Sequence, residues 1–239
     1  MSLTVFSAGS LRKALPAMAE AVGLDLDVLF GPAGLLRRRI EEGERPSLFF
    51  SANMDHARAV ETLDDYAPAR ELAVNRLCLF GRREALECGD ALAAMLAQEN
   101  RLGTSTPGAD PGGDYAFSVF DRAEAILPGS RERLRAKALP LVGGSLHGKD
   151  GPGRSPVPGL FEAGKVDLFL GYRTSALDVV RSVEGLAMVE LPPALAVEAI
   201  YGVVALRGDP VVAKALALLD SLPATEALEQ CGFMRCDGA

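Results

Sequence analysis

The chain contains no tryptophan, and only four of its 239 residues are tyrosine and two histidine. Without tryptophan and with so few tyrosines, stacking platforms for bases or sugar rings are not expected. His56 and His147 stand far apart and carry no metal-ligand spacing, so no metal site is expected. Positive charge is not in excess either: 25 Lys plus Arg against 32 Asp plus Glu leave a net charge of −7. A nucleic-acid binder needs a basic face for the phosphates, and this balance argues against one. It does not argue against a small anion, because local donors and not net charge make such a site. No run approaches the ~18 consecutive apolar residues of a membrane span. Catalytic templates are missing as well. Nothing matches a P-loop, G-x-S-x-G or H-E-x-x-H, and Gly9 to Lys13 lacks the phosphate-loop spacing. The paired carboxylates Glu41-Glu42 and Asp64-Asp65 sit in polar helical contexts and read as solvated faces. No enzyme activity and no cofactor are expected.

The four cysteines, Cys78, Cys88, Cys231 and Cys236, form no C-x-x-C pair. Cys231 with Cys236, and Cys78 with Cys88, are close enough in sequence for local bridges, and buried free thiols are the alternative. Met1-Ser2-Leu3 runs straight into a strand-like segment, with no signal peptide before it. Two readings stand: a cytoplasmic protein, or a mature form from which the signal peptide has been removed.

What is present is an ordinary globular composition, 49% apolar and 24% charged, of a length that suits one to two domains. Strand and helix patterns alternate. Leu3–Ala8 reads as a strand, followed by a helical stretch with Leu11, Leu15, Met18 and Val22 on one face. Pro16 falls inside it and is expected to bend it or to cost stability. Leu26–Phe30 reads as a strand, Leu35–Glu42 as a helix closed by Gly43, and Ser47–Ala52 as a third strand. This βαβαβ opening implies a parallel sheet. Further strands are expected over 72–80, 101–105, 166–172, 187–191 and 201–206. Helices are expected over 114–126, 210–222 and 225–230. Residues 143–159 form the longest Gly/Pro-rich stretch.

Four times, small polar or Gly residues stand directly before a helix: Ser7-Ala8-Gly9-Ser10, Gly31-Pro32-Ala33-Gly34, Asp110-Pro111-Gly112-Gly113 and Gly153-Arg154-Ser155-Pro156. A helix N-terminus carries unpaired N–H groups and partial positive charge, and small residues let an anion approach them. Each junction also has a plainer reading: Ser10 as an N-cap, Gly31-Pro32 as a turn, Pro111-Gly112-Gly113 as a loop tip, Arg154 as a surface cation, Tyr172 as packing. Only their combination points to a multi-oxygen anion.

Val5-Phe6-Ser7-Ala8-Gly9-Ser10-Leu11, the segments Phe30–Gly43 and Leu48–Ala52, Gly103–Ala116, Val142-Gly143-Gly144, Asp167–Tyr172 and Cys231-Gly232-Phe233 together resemble the periplasmic molybdate-binding proteins of ABC importers. The similarity runs through nearly the whole chain in order. It implies an α/β type II periplasmic binding protein fold: two α/β lobes joined by two crossover strands, near 72–80 and 196–204, with a ligand cleft between them. The lobes would be residues 1–76 plus 198–239, and 77–197. The resemblance further implies a monomer that binds a desolvated tetrahedral oxyanion, molybdate or tungstate, and docks on an ABC importer permease. The protein would be periplasmic, its signal peptide absent from the numbered chain.

Carried over residue by residue, the family's first serine falls on Ser10, beside Gly9. Its second falls on Ala33, beside Gly34, so that hydroxyl is missing. A backbone donor falls on Gly112, beside Gly113, another near Arg154 and Ser155, and the tyrosine on Tyr172. Losing the hydroxyl at Ala33 costs about 1 kcal/mol net. A bidentate guanidinium at Arg154 would compensate, which predicts that Arg154→Ala weakens binding more than Ser10→Ala. Arg173 is the alternative cation. Two other readings share the two-lobe outline: the ligand-sensing effector domain of a LysR-type regulator, and a binding protein for a small organic anion.

Overall fold

The computed structural model describes residues 3–144 and 155–236 of the chain. They divide into two compact units. The first takes the chain up to Asn75 and resumes at Ala199, and the second takes it from Arg76 to Glu198.

The first unit opens with β1 (Leu3–Ala8), a 3-10 turn (Gly9–Leu11) and α1 (Ala14–Ala21). Pro16 does not interrupt α1. It lies in the first turn, where an N–H has no intrahelical acceptor to lose. There follow β2 (Leu26–Gly31), α2 (Ala33–Glu41), β3 (Leu48–Ser51) and α3 (Met54–Glu61). Helix α2 begins two residues earlier than its hydrophobic pattern suggests, because Pro32 already occupies the N-cap. β1 pairs in parallel with β2 and with β3, as the βαβαβ pattern predicts.

β4 (Arg70–Arg82) carries the chain into the second unit, which continues with α4 (Ala91–Leu96), β5 (Leu102–Ser105) and α5 (Pro111–Ile126). Then come α6 (Ser130–Lys137), β6 (Leu139–Val142), α7 (Val157–Glu162), β7 (Leu168–Tyr172), α8 (Arg173–Ser182) and β8 (Leu186–Glu190). β5 is parallel to β6 and β7, while β4 is antiparallel to β7 and β8. The core beneath this sheet stacks Phe80 against Phe161 and Phe169, with centroids 6.0 and 5.5 Å apart. Cys78 is buried in it, and burial pushes its thiol pKa up.

β9 (Glu198–Ala205) returns the chain to the first unit, antiparallel to β3, and α9 (Pro210–Leu219) and α10 (Leu222–Gln230) close it. Val74 and Met234 exchange backbone hydrogen bonds of 2.8 and 2.9 Å, which ties the end of the chain to β4.

Helix α5 starts at Pro111 and not at Asp114 as its apolar pattern suggests. Asp110 caps it and Pro111 takes the first helical position, where its missing N–H costs nothing. Among the described residues there is no disulfide, so neither local bridge forms; Cys88 is exposed, Cys231 and Cys236 half-buried. No helix among the described residues is long and apolar enough to cross a membrane.

Candidate functional site

In the first unit the parallel register sets the candidate residues side by side. Ala8 of β1 pairs with Gly31 of β2, so Gly9-Ser10 and Ala33-Gly34 leave the sheet together at the carboxyl ends of their strands. In open α/β sheets that edge is where ligands bind. Ser10 is not an N-cap: it lies inside the 3-10 turn, and neither this turn nor α1 has a side-chain cap. Its hydroxyl instead accepts a 2.7 Å hydrogen bond from Tyr201 Oη. Helix α2 also lacks a side-chain cap and has no acidic residue in its first turn. Its internal ladder begins with Leu35 and Leu36 donating to Pro32 O, so the N–H groups of Ala33 and Gly34 precede it. Buried Ala33 brings no hydroxyl to this edge.

A cation stands at the same edge. Arg12 Nη1 donates to Gly9 O at 3.3 Å, and its guanidinium carbon lies 5.9 Å from the Phe30 ring centroid. The guanidinium covers Gly9 so closely that a Cβ there would meet Nη1 at 2.7 Å. Arg12 thus reaches from the first junction to the residue before the second.

In the second unit β5, β6 and β7 run parallel, and their carboxyl ends bring together Ser105, Asp110 to Gly113, Gly143-Gly144 and Tyr172. Gly112 touches its neighbours closely. A Cβ on it would lie 3.1 Å from Ser105 Oγ, 3.2 Å from Tyr172 Cε2 and 3.3 Å from Asp110 Oδ1. Tyr172 is only 7% exposed and packs edge-on against Tyr115, centroids 6.4 Å apart. Gly112 N–H is already engaged, donating to Asp110 Oδ1 at 2.9 Å, and Gly113 N–H donates to Asp110 O at 2.9 Å. The junction expected to offer backbone donors therefore holds a carboxylate of its own on the first of them.

The remaining candidates divide. Arg154, with Gly153 and His147, lies outside the described residues. Ser155 Oγ accepts a 3.4 Å bond from Val157 N before the six-residue α7. Arg173 is held by Glu190 at 2.7 Å. His56 lies 3.3 Å from Arg37 Nη1, and among the described residues no cluster could hold a metal ion. A cavity of about 620 Å³ in the second unit is lined by Arg82, Glu84, Cys88, Glu99, Asn100 and Asp167. Several of its polar groups have partners in the fold: Arg82 on Phe161 O, Asn100 on Ala94 O and Asp167 on Arg101.

Reading the sequence missed Tyr201 and Arg12, and placed Asp110 in its junction without its role as the cap of α5. Tyr201 had a signal, since a tyrosine in an otherwise apolar strand has to find a partner for its hydroxyl. Asp110 had one too, because Asp-Pro before a helical pattern is an N-cap followed by the first helical position.

These are two α/β units whose candidate groups are hydrogen-bond donors at strand ends, with no nucleophile–base pair among them. The chain belongs to the bacterial extracellular solute-binding proteins, whose family model matches residues 3–234. This is a family of binding proteins and not of enzymes. An uncharacterized protein of Pasteurella multocida is 34% identical over 242 residues, covering 97% of this chain and 98% of that one. Among solved structures, L-phospholactate-bound PEB3, a protein of Campylobacter jejuni, aligns with TM-score 0.75 at 16% identity, over 98% of this chain and 100% of the other. The sulfate-binding protein SubI of Mycobacterium tuberculosis aligns with TM-score 0.76 at 14% identity, over 100% and 88%. The periplasmic molybdate-binding protein of Azotobacter vinelandii aligns with TM-score 0.71 at 15% identity, over 99% and 100%. At these identities the likeness is one of fold: the chain has the periplasmic binding protein fold. The family match also decides between solute capture and a regulator's effector domain in favour of solute capture.

Proposed function

We propose that this chain captures a tetrahedral oxyanion in the periplasm, molybdate or tungstate first, and delivers it to the permease of an ABC importer. The observation that carries the reading is the edge of the first unit. There a serine hydroxyl, the uncapped start of α2 and the Arg12 guanidinium stand together at the carboxyl ends of two parallel strands. Unpaired N–H groups and the helix dipole favour an anion at such an end. Tyr172, in the second unit, is the matching hydroxyl of the resemblance. The ligands named for the three structural neighbours support the chemistry: molybdate, sulfate and L-phospholactate all present a tetrahedron of oxygens.

Arg12 favours a second reading, a small organic anion that carries a phosphate and a carboxylate. A guanidinium chelates a carboxylate or phosphate with two parallel bonds, which a spherical array of neutral donors does not require. Isothermal titration calorimetry of the purified chain with molybdate, sulfate and phospholactate separates the two. One-to-one binding of molybdate supports the first reading. Binding of phospholactate alone, lost in Arg12→Gln, moves the assignment to the second. No heat with any of the three removes both.

A further inference from the structure

The Ser10 hydroxyl is held from behind. Tyr201 is fully buried on β9, and its ring is fixed edge-on against Phe233, centroids 5.2 Å apart at 85°. Because β9 runs antiparallel to β3, with Ser51 opposite Gly202, the early residues of β9 lie at the carboxyl edge of the parallel strands. Tyr201 Oη thereby reaches Ser10 Oγ at 2.7 Å. Behind it, Asn75, 1% exposed, places Nδ2 at 3.5 Å from the phenol oxygen.

Each hydroxyl in this chain has one proton. With the Tyr201 proton directed to Ser10 Oγ, the Ser10 proton has to point elsewhere. A serine that could turn freely would offer a ligand either a lone pair or a proton. Here the lone pair facing Tyr201 is occupied and the hydroxyl is left to act as a donor. A hydrogen bond accepted by an oxygen also polarises its O–H, so the Ser10 proton becomes a better donor.

We propose that Tyr201 is a positioning residue of the ligand site: it fixes Ser10 as a proton donor and so selects a ligand oxygen that is ionised and carries no proton. The inference rests on the oxyanion reading above and deepens it. Tyr201 does not touch the ligand, and its whole effect passes through Ser10.

A double-mutant cycle on the full chain tests this, with molybdate and sulfate as probes in calorimetry and with melting followed in the absence of ligand. Tyr201→Phe keeps the ring and its packing, and weakens binding about fivefold, the equivalent of one neutral hydrogen bond. Ser10→Ala weakens binding by at least as much. The combination Ser10→Ala with Tyr201→Phe binds as Ser10→Ala alone does, because the phenol has nothing left to act through. The double variant strands neither hydroxyl, so it remains measurable if Tyr201→Phe alone melts early. Unchanged affinity in a folded Tyr201→Phe, or a double variant weaker than Ser10→Ala, overturns the positioning role and leaves the oxyanion reading standing. Failure of the unmodified chain to bind either probe overturns both.

Discussion

Tyr201 donates its phenolic proton to Ser10 across 2.7 Å, although 191 positions separate the two in sequence. The bond joins the strand that brings the chain back to the first unit with the turn that follows the first strand. A hydroxyl in the Ser-Leu context of Ser10 reads as a helix cap, yet here it belongs to a partly buried network at a strand end.

The same edge makes a prediction at Ala33. It is the first residue of an α2 that has no side-chain cap. A hydroxyl added there joins the donors at the helix start, so Ala33→Ser is expected to tighten molybdate or sulfate binding by about fivefold. Weaker binding by Ala33→Ser, measured by calorimetry with a melting curve to confirm folding, would contradict the assignment of this helix start to the ligand.

Asp110 gives a pair of variants that test the start of α5. Its carboxylate caps the helix and occupies the Gly112 N–H. Asp110→Asn keeps a capping oxygen, so the melting temperature changes little. Asp110→Ala removes the cap and costs about 1 kcal/mol of stability. Equal melting temperatures for the two variants would contradict capping by this side chain.

Gly112 and Gly113 are adjacent but differ in what a side chain would meet. On Gly112 the neighbours are mostly side-chain atoms beyond 3.0 Å, whereas on Gly113 a Cβ would lie 2.5 Å from Pro107 N and 2.5 Å from the Thr106 carbonyl carbon. Backbone cannot step aside as a side chain can. Gly113→Ala is therefore expected to lower the melting temperature well below that of Gly112→Ala. Gly112→Ala is expected to be absorbed by small shifts of the Ser105, Tyr172 and Asp110 side chains. Equal melting temperatures for the two variants would contradict this packing.

Much of the frame could be read from the residues alone. The alternation of apolar runs and helical periods located β1, β2, β3 and α2, because each element's pattern answers to its own neighbours in sequence. The start of α5 was misplaced because Asp110-Pro111-Gly112-Gly113 is also what a loop tip looks like, and capping by Asp110 decides the matter only in three dimensions. Tyr201 and Arg12 escaped for a related reason. The partner of Tyr201 is fixed by strand pairing, and Arg12 directly follows a 3-10 turn whose direction the sequence does not specify. The junction residues Gly9, Ser10, Ala33 and Gly34 were legible because a parallel sheet delivers successive strand ends to one edge.

Stability in acid should depend on Asp167. Its carboxylate accepts bonds from the Arg101 side chain at 2.6 and 2.7 Å and from Arg101 N at 2.8 Å, and the Arg101 guanidinium holds its pKa below the ordinary value. A lowered carboxylate pKa stabilises the fold above the ordinary value, about 4, and the contribution fades as pH falls through the native one. Asp167→Asn is therefore expected to be less stable near neutral pH by about 1 kcal/mol, kept small by the half-exposed Arg101. The gap between the two melting curves should close as pH drops below about 4. A gap that persists unchanged in acid would contradict the ion pair as its source.

The most direct measurement of the central claim is thermal unfolding of the full chain against a panel of molybdate, tungstate, sulfate, phosphate and small carboxylates. A ligand present at about 100 times its Kd adds about 2.7 kcal/mol to the folded state. The account predicts a concentration-dependent rise in Tm with molybdate or tungstate that exceeds the rise with any simple carboxylate. Stabilisation by a carboxylate alone, or no shift with any tetrahedral oxyanion, would contradict it.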